Sequence, residues 1–445
     1  MNAQPISDED LKVFDGAYRA DPVRRAMTDV LYRCKLDDMI HNPQRAREMH
    51  FDFSVDIPTM KCANQKHSGR CWLFAATNCL REKLGKQINV EQLELSQSWL
   101  AFWDKFERCN FFFESVLDTA ALPVSDRTVH HIFTNRVEDG GQWDMFVNIV
   151  DKYGIVPKSA YPETEQSSDT STENDVLGQY LRKCGALLRR DAASGTDLKT
   201  LQTEKTAFLS KIYSFLVSCY GEPCKTFDFE YVDKDKKYHL ERDLSPVSFR
   251  DKYFGDLLHD YISLINAPTA DKPYDRTYTV KYLGNVAGGN SVLYLNLPID
   301  ELKAAVIRQL QDGEVVWFGS DCSKCRDRKL HQWDHKGLDI ELLTGLDADI
   351  SKADSLDYCQ SAMNHAMVIT GVNLDAGGRP NRWKIENSWG PEDPNDGYYM
   401  ATDGWFDQFV YQAVVHKKYL GDKEKLIEQK PIELEPWDPM GTLAD

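Results

Sequence analysis

The sequence predicts an α+β protein in which helices and strands are segregated along the chain, with a second helical block inserted between them. Three observations carry this. Between Cys71 and Lys86, the residues Leu73, Ala76, Leu80 and Leu84 fall on one face of a helix. After Tyr161-Pro162 a polar, Ser- and Thr-rich stretch breaks the pattern, and apolar residues at helical spacing resume over 178–192, 197–219 and 247–265. Beyond Ser291 the pattern changes to short apolar runs at 292–295, 315–318, 366–372, 382–386 and 397–400, which suit a compact antiparallel sheet or barrel.

The elements follow in order. Residues 1–55 read as a polar helix-and-turn arm, with Ser7 and Asp10 framing a capping box ahead of Leu11. Residues 56–165 form a helical half, with helices expected at 71–86, near 92–106 and at 143–153. Residues 166–290 form an inserted, mainly helical domain with a short strand pair around 227–240. Residues 291–420 form a β half. Residues 421–445 are a tail that is extended, proline-punctuated and more apolar than a solvated terminus should be. A chain of 445 residues is long enough to bury one large core or two ordinary ones.

Composition narrows the function classes. The formal net charge of −17 disfavours nucleic acid, because phosphate binding draws on clustered Lys and Arg. The mildly basic stretch of Lys234, Lys236, Lys237 and Arg242 is interrupted by Asp233, Asp235 and Glu241, and reads as a solvated face. The N-terminus lacks a basic segment followed by an apolar core, and no run of ~18 apolar residues occurs, so neither secretion nor a membrane span is expected. Eleven scattered cysteines make a poor disulfide framework and suit a reducing compartment, which points to the cytoplasm.

The string from Asn64 to Trp72 runs a polar, glycine-containing loop into a helix that starts at a cysteine. Unpaired N–H groups at a helix start favour an anion, which lowers a thiol's pKa below its free value of ~8.5. Gln65, six positions earlier, is placed to join the Cys71 N–H in holding an oxyanion. An isolated cysteine would read as a buried structural residue. Cys71 is not isolated, because His365 opens an apolar run and Asn387 closes the next one, giving a base and a group to orient it. Cys322 and Cys325 with His331 and His335 are too loosely spaced for a zinc site, so no metal and no cofactor are expected.

On these residues the chain resembles the papain superfamily. The Gln65 to Trp72 string, Gly140-Gly141, Tyr153-Gly154-Ile155, Tyr161-Pro162, Asn364-His365-Ala366 and Glu386 to Gly390 occur in that family's order. Within it the chain is most similar to the bleomycin hydrolase and aminopeptidase C family. The narrower likeness rests on Ser68 to Trp72, the insertion after Tyr161-Pro162, the 317–322 segment and the 437–441 segment.

The resemblance implies a papain-like catalytic domain, its helical half facing an antiparallel, barrel-like β half, interrupted by the inserted helical domain. It implies an aminopeptidase acting on peptides and related aminoacyl amides such as bleomycin. Cys71 would be nucleophile, Gln65 oxyanion donor, His365 acid and base, Asn387 its orienter and Trp389 a shield over that contact. Gly140 and Gly141 would line the substrate cleft. The C-terminus would lie in that cleft and meet the substrate's free amine with its carboxylate, carried either by Asp445 or, once that residue is trimmed, by Ala444. A homohexamer is the implied assembly. Ser68 stands where secreted relatives have a disulfide cysteine, which agrees with a cytoplasmic enzyme.

Overall fold

The structure, a computed structural model, describes residues 3–134, 137–391 and 395–442. The helix Cys71–Gln87 is buried along most of its length. Residues off its predicted stripe, such as Trp72, Phe74 and Asn78, are as inaccessible as Leu73 and Leu84. The reason is that the helix packs at once against the strand His365–Leu374 and the helices Gln97–Asp118 and Trp143–Tyr153. A helix buried on nearly every side is a core helix, and its polar residues Asn78, Arg81 and Glu82 are buried with the rest.

Among the described residues the β half is a twelve-stranded sheet. From one edge its strands are Ile432–Leu434, Arg276–Val280, Tyr294–Asn296, Tyr261–Ile265, Val410–His416, Val316–Ser320, His365–Leu374, Pro380–Glu386, Tyr398–Thr402, Gln332–Trp333 and Arg326–Asp327. The short strand Val55–Asp56 pairs with the far end of His365–Leu374. Most pairings are antiparallel, but Tyr261–Ile265 runs parallel to Tyr294–Asn296, Arg276–Val280 to Ile432–Leu434, and Tyr398–Thr402 to Gln332–Trp333. Among the described residues the two edges do not pair, so the β half is an open sheet and not a closed barrel. All of Val316–Ser320 and the first eight residues of His365–Leu374 are buried, and strands covered on both faces read as continuous apolar runs without alternation.

The capping box forms, with the Ser7 hydroxyl taking the Asp10 N–H and the Asp10 carboxylate taking the Ser7 N–H. The third expected helix spans Trp143–Tyr153, and the helix expected near 92–106 is Gln97–Asp118, started by Ser96, whose hydroxyl takes the Trp99 N–H. The inserted segment contains the long helices Ser171–Ala193 and Leu198–Tyr220 and the hairpin Phe227–Val232 with Tyr238–Leu244.

One expected helix is overturned. Residues 247–265 form a short helix, Pro246–Tyr253, a 3-10 turn, Leu257–Asp260, and the strand Tyr261–Ile265. Gly255 lies at φ +49°, which carries the chain out of the helix. Ile262, Leu264 and Ile265 are buried beside Val410–His416, where pairing and burial override an accidental helical spacing. This strand and Arg276–Val280 join the large sheet from within residues 166–290.

Candidate active site

Side chains fix the loop that delivers Cys71. The Gly69 N–H donates to Asp139 Oδ2 at 3.0 Å, Arg70 Nε to Ser68 Oγ at 2.9 Å and Arg70 Nη1 to Glu163 Oε2 at 2.9 Å. Trp72 Nε1 donates to the Asp139 carbonyl at 2.7 Å, and Trp317 Nε1 donates to the Trp72 carbonyl at 3.1 Å. The helix therefore begins at Cys71, and Arg70 offers no side-chain cap to its first N–H groups. Those groups leave partial positive charge at the thiol.

Cys71 Sγ accepts the Ala366 N–H at 3.4 Å, which sets the sulfur against the opening of the His365 strand. Both residues are enclosed, Cys71 at 0% and His365 at 3% exposure. His365 Nε2 meets Asn387 Oδ1 at 3.0 Å, and the same oxygen accepts the Ser388 N–H at 2.8 Å. An oxygen facing two donors fixes the amide's orientation, so Nε2 carries the proton and donates, leaving Nδ1 unprotonated. Burial holds the imidazole's pKa down to about 4, against the pull of the Asn387 bond and with a further lowering from the charge of Arg326. The Trp389 ring stacks on the imidazole, with centroids 5.1 Å apart and planes 24° from parallel.

Gln65 lies beside this pair and is itself held. Its Nε2 donates to the Ser68 carbonyl at 2.6 Å, its Oε1 accepts from Ser388 Oγ and its backbone N–H donates to the Ser388 carbonyl at 2.8 Å. One of its two amide protons is thus committed within the loop. Gly140 and Gly141 lie buried under the helix start. Arg108 holds the Gly140 carbonyl, and a Cβ on Gly141 would sit 2.5 Å from the Trp72 ring. The following residue, Gln142, donates from Nε2 to the Thr442 carbonyl at 2.8 Å, which brings the C-terminal segment to the same place. Trp437 lies under the Arg127 guanidinium, 3.9 Å from the ring centroid. Asp438 pairs with Lys272 at 2.8 Å, and Tyr294 Oη donates to the Met440 carbonyl at 3.1 Å. Residues Pro436 to Pro439, Gly441 and Thr442 line a cavity of about 760 Å³ that Met363 and Asn364, the residues before His365, also line. Ala444 and Asp445 lie outside the described residues.

Residues 5–441 match the Peptidase C1-like family. The chain is 48% identical over 396 residues to aminopeptidase C of Lactobacillus delbrueckii subsp. lactis, covering 88% of each chain, and 43% identical over 446 residues to that of Lactobacillus helveticus, covering 99% of each. The crystal structure of PepW from Lactobacillus rhamnosis HN001 superposes with a TM-score of 0.96 at 45% identity over 100% of both chains. The chain belongs to the Peptidase C1-like family. It is a papain-like cysteine aminopeptidase of the bleomycin hydrolase and aminopeptidase C type.

Several groups around this aminopeptidase's site were given no role in the sequence analysis. Asp139, just before the glycine pair, is buried. Desolvation alone would raise its carboxyl, but Lys105 and the donors on Thr170 and Gly69 hold it well below the usual range. Glu386 sits beneath Asn387 in a buried pair with Arg81 at 2.8 Å and accepts from Asn78 Nδ2 at 2.8 Å. A charged residue adjoining each motif was the available clue for both. Burial pushes the thiols of Cys62 and Cys322 up to about 12, which suits structural cysteines. None of the eleven cysteines is joined in a disulfide. His331 stacks on Tyr399 and His335 reaches Thr402, and the described residues include no group of three or more side chains able to hold a metal. No described helix is long and apolar enough to cross a membrane.

Proposed function

We propose that Cys71, His365 and Asn387 carry out acyl transfer and that the C-terminal tail restricts cleavage to the residue bearing a free amine. The observation that carries the reading is that Cys71 Sγ accepts the N–H of Ala366, the residue after His365, while the His365 ring meets Asn387 Oδ1. His365 Nδ1 takes the thiol proton as Sγ attacks the peptide carbonyl, and the oxyanion forms against the Cys71 N–H and Gln65 Nε2. Collapse of the tetrahedral adduct breaks the C–N bond as the imidazole gives its proton to the leaving nitrogen. Water, deprotonated by His365 Nδ1, then attacks the thioester carbonyl, the C–S bond breaks, and the imidazolium returns its proton to the departing thiolate.

The tail supplies the restriction in this reading. Gln142 and Lys272 hold Thr442 and Asp438 in the lining of the cavity that Asn364 also lines, and a terminal carboxylate a few residues further on, from Asp445 or a trimmed Ala444, would pair with the substrate ammonium. Blocked cleft and fixed charge together admit one residue before the scissile bond. Peptides and aminoacyl amides, bleomycin among them, fit such a site. We also propose a cytoplasmic homohexamer. Free cysteines agree with that compartment, and the arm helices Asp8–Ala20 and Pro22–Leu31 bury no residue of their own while exposing Leu11, Val13, Phe14 and Val23.

An aminoacyl fluorogenic amide assayed against its N-acetylated form tests this. The intact protein is expected to cleave only the free amine, Cys71→Ser neither, and a protein lacking residues 441–445 both. Retained activity in Cys71→Ser would refute the nucleophile. Failure of the truncated protein to act on the blocked substrate would refute the tail's role.

A further inference from the structure

Arg326 is a half-buried cation whose guanidinium, among the described residues, has no hydrogen-bond or ion-pair partner. Other arginines around the site are each matched to a carboxylate, Arg70 to Glu163, Arg81 to Glu386 and Arg108 to Asp104. A partly desolvated charge without a counterion is costly to the fold, and such a cost is offset where a ligand brings the opposite charge. Arg326 contacts a ring instead, lying 5.0 Å from the centroid of Trp389. Its backbone is fixed by the short strand Arg326–Asp327, in register with fully buried Trp333. Its charge also reaches the imidazole of His365, which it biases toward the neutral form.

The placement has a direction. An imidazole that protonates the leaving nitrogen faces the leaving half of the substrate, so the ring stacked on it, and the cation over that ring, flank the same half. The C-terminal segment, held at Gln142 next to Gly140-Gly141, attends the amine half. Each extended residue adds ~3.5 Å, so a cation two ring contacts from the imidazole is within reach of the end of one or two residues beyond the scissile bond.

We propose that Arg326, resting on Trp389, binds the C-terminal carboxylate of the leaving product, making di- and tripeptides with free C-termini the preferred substrates. This rests on the reading of Cys71 and His365 as the acyl-transfer pair. The guanidinium offers a bidentate fork to a planar carboxylate, and the indole face keeps it in place between turnovers.

The test compares kcat/KM for the dipeptide alanyl-phenylalanine with that for its C-terminal amide, which shares the same amine and the same scissile bond. A charge-assisted contact of this kind favours the free acid by about tenfold or more in the unaltered protein. In Arg326→Gln the acid-to-amide ratio falls to about one, and in Arg326→Lys it is intermediate, because the charge remains and the fork is lost. Any general loss of activity cancels in the ratio, and the first comparison needs no variant. A ratio near or below one in the unaltered protein, or an undiminished ratio in Arg326→Gln, overturns the proposal. Cleavage of either substrate by Cys71→Ser would instead overturn the catalytic reading beneath it.

Discussion

At the scale of single residues, the tautomer of His365 decides what the site can do. Asn387 Oδ1 faces Nε2 and holds the proton there, so under the proposed mechanism Nδ1 is the nitrogen that accepts the thiol proton. Asn387→Ala removes that constraint, and kcat/KM is expected to fall by about 10- to 100-fold, ~1.4 to 2.7 kcal/mol of transition-state stabilisation. Because the Asn387 bond raises the imidazole's pKa, its loss also pushes that pKa further down, which a pH profile would register. Lys352 offers a test of stability alone. Its ammonium is buried, donates to the Val410 carbonyl, and is pushed down to about 7 chiefly by desolvation. A lysine whose folded pKa is depressed binds fewer protons folded than unfolded between pH 7 and its free value of ~10.4, so stability rises with pH through that window. Lys352→Met is expected to raise the melting temperature at pH 7 and to flatten this rise, as measured by thermal unfolding across the range. An unchanged slope would show that the ammonium is not the source.

At the scale of elements, the site is where one helix start meets two strand ends, and what joins them is ionic. Arg81, on the Cys71 helix, is paired with Glu386, the residue before Asn387, and both are inaccessible. Glu386→Ala would leave a buried guanidinium without its carboxylate, at a cost of ~3–5 kcal/mol. Urea denaturation should show that loss together with reduced turnover, since the strand end bearing Asn387 would no longer be tied to the helix. This coupling was not legible in the sequence, whereas the motifs at its two ends were. Cys71, His365 and Asn387 announce themselves by chemistry and order. Glu386 and Asp139 look like ordinary surface charges until the chain folds over them. The same asymmetry separates the elements. Trp143–Tyr153 was readable because its apolar residues recur with a clear helical period, and Tyr261–Ile265 was not, because five residues of Tyr, Ile, Ser and Leu fit either period and only the neighbouring strand decides. The open sheet was hidden for a related reason: Arg276–Val280 and Ile432–Leu434, which pair in parallel, lie about 150 residues apart in the chain.

At the scale of the whole molecule, the chain's last segment crosses from the sheet edge to the helix start, and its register depends on where it is pinned. The strand Ile432–Leu434 extends the sheet, and Lys272, from the loop between Tyr261–Ile265 and Arg276–Val280, then holds Asp438. Burial disfavours the Lys272 ammonium, but its two carboxylate partners, Asp271 and Asp438, raise its pKa above the ordinary value, so the ammonium stays charged through the neutral range. Asp438 also accepts the Met440 N–H at 2.8 Å, which shapes the turn that aims Thr442 at Gln142. Under the proposed role of the tail, loosening this clamp shifts the terminal carboxylate with respect to Cys71 without touching the catalytic residues. Lys272→Met is therefore expected to lower hydrolysis of free-amine substrates by about tenfold or more while raising hydrolysis of N-acetylated ones, in proportion to the ~1.4 kcal/mol or more by which a lost buried ion pair favours release. Asp438→Asn, which keeps an oxygen for the Met440 N–H, should move both rates in the same directions by less. A clamp that served only to stabilise the fold would lower both rates together, and assaying the two substrates side by side distinguishes a shifted tail from a weakened protein.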